Sequence, residues 1–462
     1  MPATPRSTVT VATAGTLVAM LSYTAPLGVL PTIARDVAAG PSAQSWILSA
    51  SSLGLTTGLL TAGALGDDHG RRRVFVAGAL VLAVGQLLGA VAPSPGLVVA
   101  GRVVQGLGSA ALIACSLALI SHVVPAGPER VRASGLWGAG LAGGIGVGPL
   151  LGTVMPWRLA YGVVGVAALF VALVTPRLAP ESRADVARRP DVPGIVTLAG
   201  GLALLCAGLT ELRTGVGALP LALLVIGLVL LAAFAAVEHR VAEPMMPLAL
   251  FRSPALVAAT VGALGTGLGI IAVISYLSTL AQRGLGLDPL QATLALTAWP
   301  VVSVVTSLLT RHLPERLSGA VRLVGGLVVV AAGMLLLTGL DPSTTSAHLV
   351  LATAVAGLGT GVVNATLGRE AVASVPPALA GVGSGINNTS RYLGAAVGVT
   401  LVSVLTSRTG TERPAQLIAN WDRAVLVAVA LTVVCLLVVA VAESRSRRTA
   451  RRQVTDDAPI AG

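Results

Sequence analysis

Charged residues are scarce in this chain of 462 residues. They make up 11% of the sequence, whereas a soluble domain carries roughly 25%. Hydrophobic residues make up 54%, and the mean hydropathy is +0.87. This composition excludes a soluble globular protein. Long apolar runs favour helices, because a helix satisfies its own backbone hydrogen bonds in lipid. The sequence therefore predicts an all-α polytopic membrane protein embedded in the lipid bilayer.

The chain also lacks the residue clusters that metal sites and enzymes need. Its three cysteines lie far apart in apolar runs, without metal-site spacing, and we interpret them as small packing residues: Cys115, Cys206 and Cys435. The histidines show no ligand spacing, and no hydrophilic segment is long enough for a soluble domain. We expect no metal, no cofactor and no catalytic residue, and we do not expect an enzyme.

Lysine is absent, so all thirty basic residues are arginine and the net charge is +11. Fourteen apolar runs are long enough to span a bilayer, which takes about 20 residues. They cover 8–32, 45–66, 74–93, 97–123, 131–154, 157–175, 192–213, 216–237, 254–281, 287–311, 320–339, 346–371, 379–406 and 422–442.

The arginines orient these spans. With the N-terminus inside, twenty-one arginines lie on the cytoplasmic side and seven lie outside, which obeys the positive-inside rule. The charge is therefore interpreted as topogenic, with no nucleic-acid partner. We expect both termini in the cytoplasm. The absence of lysine beside abundant Ala, Gly, Val and Leu suggests a GC-rich bacterial genome, and hence a bacterial inner membrane.

Hydrophilic segments divide the chain into four parts. Residues 1–176 are expected to form a bundle of six helices, and 254–442 a second bundle of six. Between them, 177–253 holds the longest internal hydrophilic linker and two further spans. The polar tail 443–462 is expected to be disordered in the cytoplasm.

A short loop, "GALGDDHGRRR", joins the second and third spans. Gly63 permits close helix approach, and Gly70 permits a tight turn. Asp67 can receive an arginine or a helix N-terminus and so hold two helix ends together; Arg71 and Arg72 follow it. A merely topogenic arginine turn is the alternative interpretation of this loop.

The fourth span opens with "GRVVQGLGSAAL". Arg102 lies inside this apolar run, with Gln105 and Gly106 beside it. An arginine in a membrane helix is costly, so it must face the bundle interior or water. This placement favours a functional role over an interfacial arginine.

Glycines recur every fourth residue along the fifth span: Gly140, Gly144, Gly148 and Gly152. Their spacing predicts a bare stripe that lets another helix approach closely. Pro149 removes one backbone hydrogen bond and favours a kink. A kinked helix with a smooth face suits an element that rocks against a neighbour, although static close packing is the alternative.

Together these motifs resemble the major facilitator superfamily. "GALGDDHGRRR" is similar to its loop 2–3 signature and "RVVQGLG" to its helix 4 signature. The helix 5 antiporter signature is matched by Gly135, Gly144, Gly148, Pro149 and Gly152, with Thr153 in place of its last glycine. "WILSASSLG", "ERVRASGLWG", "WRLAY" and "GVGSGINNTSRYLGAAVGV" resemble the 14-helix drug:proton antiporter branch.

The resemblance implies two six-helix bundles around a central cavity, plus two inserted helices, and transport by alternating access. It implies that Asp67, Arg71 and Arg72 help to hold the outward-closing contacts. It places Arg102 in the proton-relay region. It also implies that the Gly144–Gly152 stretch packs against the tenth helix and limits leak.

The first span departs from the family pattern. Ser22 stands where the family usually has an aspartate, and Leu27 where it has an asparagine. None of the nineteen acids lies at mid-membrane. A midplane carboxylate is the usual proton carrier, so coupling would have to use Asp67, His122 or Glu370. The partners are expected to be a neutral or anionic lipophilic small molecule and protons.

Polar and aromatic side chains inside spans are the candidates for the substrate cavity: Ser22, Tyr276, Trp299, Asn387, Asn388 and Arg391. Arg391 is expected ~18 Å from its helix end, at 1.5 Å per residue. Trp299 is as readily a packing residue.

The leading hypothesis is a monomeric secondary transporter that exports lipophilic drugs, antibiotics or toxic metabolites, driven by proton antiport as the resemblance implies. An uncoupled or uptake facilitator of the same fold is the alternative. A membrane-embedded lipid enzyme is disfavoured, because Asp67 and Asp68 form the only acid pair near a membrane face and belong to the loop motif.

Overall fold

The computed structural model describes residues 4–184, 191–213, 215–314, 317–406 and 413–456. Within these ranges all regular structure is helical, as the composition predicts. The α-helices are α1 (Pro5–Thr24), α2 (Leu30–Asp36), α3 (Pro41–His69), α4 (Arg71–Ala90), α5 (Pro95–Val123), α6 (Pro128–Val154), α7 (Trp157–Leu178), α8 (Val192–Leu212), α9 (Ala218–Arg240), α10 (Pro254–Thr266), α11 (Ala272–Arg283), α12 (Pro289–Leu309), α13 (Gly319–Leu335), α14 (Ser346–Ala373), α15 (Ala380–Thr406) and α16 (Pro414–Asp456).

Every predicted span overlaps a long helix. Among the described residues, eleven helices are long and apolar enough to cross a membrane. The other three predicted spans fall on α6, α13 and α15. α6 is rich in glycine, α13 has only 17 residues, and α15 carries two asparagines and an arginine. The multi-pass helical fold is confirmed, and the count of fourteen spans stays a prediction.

Two helices depart from regular geometry. The ninth predicted span is α10 and α11 joined by a π-helical turn, Gly267–Ile271. The first predicted span ends early, because α1 stops at Thr24 and a 3₁₀ turn containing Pro26 follows. Proline lacks the N–H that an α-helix would need there.

Helix packing groups α1 and α3–α7 into one bundle and α10–α16 into a second. α8 and α9 form a hairpin that packs through α8 against α3 and α15. Trp46 Nε1 donates a 2.6 Å hydrogen bond to Glu211 of α8, and Arg213 donates to Ser49 and Thr400. The inserted hairpin thus touches both bundles.

The two bundles contact each other through α3 with α15 and through α6 with α12 and α14. We call the end of the molecule where α3 ends and α15 begins the Asp67 end. α16 continues as helix to Asp456, which reaches into the tail that we expected to be disordered from 443. Alanine and arginine are good helix formers and prolong a helix that is already packed. Residues 457–462 lie outside the described residues.

Candidate functional site

Asp67 is buried where α3 of the first bundle meets the start of α15 in the second. Its carboxylate accepts hydrogen bonds from the backbone N–H groups of Gly381 at 3.0 Å and Val382 at 2.9 Å. These N–H groups belong to the first turn of α15, where a helix has unsatisfied donors and a partial positive charge. Of the two partners that the sequence allows, Asp67 has both, because Arg71 Nε also donates to it at 2.8 Å.

Two glycines let this junction form. A Cβ on Gly63 would collide with the carbonyl group of Gly381, so the backbones of α3 and α15 are in direct contact there. Gly70 has φ 118°, a left-handed conformation that favours glycine. The Arg71 guanidinium also donates to Pro377 O at 2.7 Å. We call this set of contacts between the bundles the latch.

Glu181 is a member of this region that sequence reasoning missed. Its carboxylate accepts from Arg72 N at 3.0 Å and lies 3.6 Å from Arg72 Nε. The linker around it is fixed by backbone bonds, from Arg71 N to Ser182 O at 2.8 Å and from Ala184 N to Asp67 O at 2.7 Å. The only sequence signal for Glu181 was its position just after α7. That places an acid on the same predicted side of the membrane as the arginine cluster of the loop.

Arg102 of α5 is 1% exposed and fully engaged with backbone carbonyls. It donates to Ser22 O at 2.7 Å, Tyr23 O at 3.0 Å and Ile47 O at 3.0 Å. Ser22 and Tyr23 belong to the last turn of α1, whose carbonyls have no helical partner. Arg102 therefore caps the end of α1 and ties it to α3.

The other two residues of the helix 4 motif support this arrangement. Gln105 lies beside Arg102 at 3.3 Å and donates to Gly85 O and Gln86 Oε1. A Cβ on Gly106 would collide with the carbonyl of Ser51, so α5 and α3 touch backbone to backbone. The motif on α5 thus holds four helices of the first bundle together, namely α1, α3, α4 and α5.

The glycine stripe of α6 faces α1. Gly140, Gly144 and Gly148 lie against α1 within the same bundle, where a Cβ would meet Thr13, Met20 or Thr24. Of the Gly144–Gly152 stretch, which the resemblance places against the tenth helix, Gly144 and Gly148 therefore contact α1, whereas Gly146 contacts the tenth predicted span. The period of four put the stripe on one face correctly, but it could not identify the partner. Gly152 lies in α6, and its surroundings fall outside the described side chains.

A second glycine face on α6 does meet α12, which is the tenth predicted span. Gly135 accepts a 3.0 Å hydrogen bond from Ser307 Oγ, and a Cβ on Gly146 would lie 2.9 Å from Pro300. Gly138 also faces Ser307. Pro149 sits within the helix, which continues to Val154. α6 is therefore smooth on two sides, towards α1 and towards the other bundle.

Trp137 is a further interface residue that the motifs did not single out. It is fully buried, and its Nε1 donates to Ser116 Oγ of α5 at 2.8 Å. Its ring lies against Gly368 of α14, where an added Cβ would be 3.0 Å away. The indole thus fills the space between the bundles near the Asp67 end.

The six cavity candidates do not form one group. Tyr276 stacks on Trp421, with 6.5 Å between ring centroids, and Trp299 donates to Thr360 at 3.0 Å. Both therefore pack inside the second bundle. The buried Ser22 hydroxyl has no hydrogen-bond partner among the described residues.

The remaining three candidates share one buried face of α15: Asn387, Asn388 and Arg391. Asn387 Nδ2 donates to Ala259 O at 3.0 Å, and Asn388 Nδ2 to Ser384 O at 3.0 Å. Tyr392, one residue further on, reaches α1, with its ring 5.8 Å from that of Tyr23. This face of α15 is therefore both polar and buried near the junction of the two bundles.

Comparisons with known proteins agree with this architecture. The sequence model of the Major Facilitator Superfamily matches residues 12–399. The puromycin resistance protein pur8 of Streptomyces alboniger is 34% identical over 394 residues, which cover 82% of this chain and 77% of that protein. The cephamycin export protein CmcT of Amycolatopsis lactamdurans is 32% identical over 428 residues, covering 88% and 86%.

A third relative, the multidrug efflux pump LfrA of Mycolicibacterium smegmatis, is 32% identical over 397 residues, covering 84% of this chain and 79% of the pump. Among solved structures, the human organic anion transporter MFSD10 superposes with a TM-score of 0.71 at 18% identity, covering 94% of this chain and 99% of that one. That likeness shows the fold alone. With the family matched along most of its length and the bundles, latch and glycine helix in place, this chain belongs to the Major Facilitator Superfamily of membrane transporters.

Proposed function

We propose that this protein exports small lipophilic antibiotics, drugs or toxic metabolites from a bacterial cell by alternating access. Three relatives at 32–34% identity are named for puromycin resistance, multidrug efflux and cephamycin export. Two helical bundles that meet along smooth, glycine-lined surfaces suit rocking around a central site. The substrate is lipophilic and neutral or anionic, because every acid among the described residues lies at the end of a predicted span or outside the spans.

The observation that carries the proposal is the latch. Asp67 of the first bundle holds the start of α15 in the second through two hydrogen bonds. With the termini and the Asp67 end on the cytoplasmic side of the inner membrane, the latch closes the inward path. Inward opening then requires these two bonds to break, while the bond between Asp67 and Arg71 stays within one bundle.

Proton antiport is the proposed driving force, and the antiporter signature on α6 supports it. Arg102 acts in this scheme by fixing the end of α1 beside the site. Asp67 is the proposed proton carrier, because it is buried and because its hydrogen bonds to the other bundle break and form again during turnover. An uncoupled facilitator is the second candidate, favoured by Ser22 at the position of the family's aspartate.

Drug accumulation tests the export function. The protein, acting as a monomer, is expressed in an efflux-deficient host. The cellular levels of puromycin, to which one relative gives resistance by its name, and of a panel of lipophilic antibiotics are followed. Lower accumulation than in cells carrying the Asp67→Asn variant is expected. Unchanged accumulation of puromycin and of a panel of lipophilic antibiotics, with the protein in the membrane, would overturn the proposal.

Proteoliposomes separate the two driving forces. Efflux that rises when an inward proton gradient is imposed supports antiport. Flux that ignores the gradient leaves the facilitator. Monomeric mass of the active, reconstituted particle is expected from light scattering.

A further inference from the structure

Arg391 of α15 is the one cavity candidate whose charge lacks any partner in the described residues. Its side chain is 1% exposed, and none of its three guanidinium nitrogens makes a hydrogen bond there. Arg102 is buried to the same degree, yet it donates to three backbone carbonyls and to Gln105. Arg102 is thus a structural residue with its hydrogen bonds satisfied, whereas the hydrogen-bond donors of Arg391 are unsatisfied.

A buried guanidinium without a counter-charge is costly in the interior of a membrane protein, because the low-dielectric surroundings disfavour the charged form. Fold stability does not explain Arg391, since an apolar side chain would avoid this cost. The buried carboxylate of the latch, Asp67, is already engaged by Arg71, Gly381 and Val382. A missing counter-charge of the kind seen here is a property of binding sites, where the ligand supplies it.

The surroundings of Arg391 indicate what such a ligand carries. Asn387 and Asn388 lie four and three residues before it, so the three side chains share one helix face. The amide oxygens of both asparagines also lack hydrogen-bond donors among the described residues. A guanidinium offers donors in a planar fork that fits a carboxylate, and the two amide oxygens accept from hydroxyl or amine groups. This face therefore offers both donors and acceptors to a ligand.

Both bundles pack closely against α15 around Arg391. Gly267 opens the π-helical turn and lies directly against the Arg391 carbonyl. On the first bundle, Tyr23 and Met20 approach Tyr392, the next residue along α15. Turns of π geometry occur frequently at functional sites. Arg391 thus lies where both bundles converge on α15.

We propose that Arg391 binds the ionised acid group of an organic monoanion during transport, with Asn387 and Asn388 accepting hydrogen bonds from donors beside that group. The inference rests on the proposed export function and narrows its substrate class from neutral or anionic to anionic. A chloride ion would also pair with the guanidinium. It would leave both amide oxygens unfilled, which favours the organic anion.

The test uses the full-length protein in nanodiscs at neutral pH, in chloride-free Tris sulfate buffer of low ionic strength, which contains no organic acid. Binding of 1-pyrenebutyrate, 1-pyrenebutanol and 1-pyrenebutylamine is measured by energy transfer from tryptophan to pyrene, since the three probes differ only in the charge of their end group. The wild type is expected to prefer the acid. Arg391→Met is expected to weaken acid binding by about 10- to 100-fold relative to the alcohol, and Arg391→Lys to keep part of the preference.

Thermal stability of the ligand-free protein gives a readout independent of binding. Arg391→Met is expected to raise the melting temperature, because it removes an uncompensated charge. Arg102→Met is expected to lower it, because it leaves the carbonyls of Ser22 and Tyr23 without their donor. A merely structural Arg391 would behave like Arg102, and a fall in melting temperature together with an unchanged ratio of acid to alcohol binding would overturn the proposal.

Chloride tests whether the site binds an inorganic anion instead of an organic one. A stabilisation by chloride that exceeds that by 1-pyrenebutyrate would assign the site to an inorganic ion and overturn the organic-anion assignment. None of these measurements depends on transport, so loss of the export function in cells and loss of the anion preference in nanodiscs are distinguishable results.

Discussion

Asp67 and Val382 lie 315 positions apart in the sequence, and a 2.9 Å hydrogen bond joins the carboxylate of the first to the backbone N–H of the second. With its companion bond to Gly381, this contact lets one side chain of the first bundle hold the helix start of the second. The Asp67 carboxylate thus makes two of the hydrogen bonds that close the Asp67 end, beside the bond from Arg71 to Pro377. Removing its charge is the most direct perturbation.

Asp67→Asn is expected to weaken the latch by about 2 kcal/mol, since a charged hydrogen-bond acceptor at a helix N-terminus becomes neutral. The equilibrium then shifts roughly 30-fold towards opening at this end. Spin labels at Arg73 and Ala378, both exposed, are expected to show a longer distance in the variant.

The matched control is Asp341→Asn. Asp341 lies in an exposed loop, and hydrogen bonds from Ser343 hold the pKa of its carboxyl below the usual value, so it is also charged at neutral pH. It should leave the distance unchanged. Identical distance distributions in the wild type and Asp67→Asn would contradict the role of the latch.

Gly63→Ala tests the backbone contact of α3 with α15. The new methyl group would collide with the Gly381 carbonyl, so the bundles cannot close at the Asp67 end. Efflux is expected to fall by about 10-fold or more, because small displacements at such contacts are costly. Gly325→Ala in α13 is the control, since nothing lies within 4 Å of its Cβ position. Equal efflux by both variants would refute the close contact.

The two glycine faces of α6 predict opposite phenotypes. Gly144→Ala pushes against α1 inside one bundle and should lower the melting temperature. Gly146→Ala pushes against Pro300 across the interface and should reduce efflux with little change in melting temperature. Thermal unfolding and drug accumulation, measured on both variants, check this assignment. A larger stability loss for Gly146→Ala than for Gly144→Ala would reverse it.

Trp137→Ala is expected to open a leak at the Asp67 end. Removing a buried tryptophan lowers the free energy of unfolding by about 3–5 kcal/mol. Here the cavity left behind lies between α6 and Gly368 of the other bundle. Passive entry of a lipophilic dye into proteoliposomes should rise.

Trp421→Ala provides the comparison for that variant. Trp421 is equally buried and packs within the second bundle, where its Nε1 donates to Leu337 O. A similar loss of stability without a leak is expected. A leak of the same size in both variants would mean that Trp137 does not seal the interface.

The apolar runs, the glycine spacing and the composition predicted much of this fold, because helices in lipid must satisfy their own backbone hydrogen bonds and expose apolar surface. They placed Arg102 inside the fourth span and Asp67 in the loop after the second, whereas the structure has Asp67 in the last turn of α3. They could not show that Arg102 caps α1, since its partners are carbonyls that any sequence supplies. Glu181 and Trp137 were missed for a related reason: their partners lie across contacts made only after the bundles assemble.

α6 carries a consequence for how selectivity can diverge in such transporters. With glycines against α1 on one side and against α12 on the other, its large exposed hydrophobic side chains are Leu136, Val147 and Val154. A larger side chain on either glycine face would disturb a helix contact. We therefore expect substitutions that change substrate selectivity to be tolerated on other helices, such as α15, rather than on the glycine faces of α6.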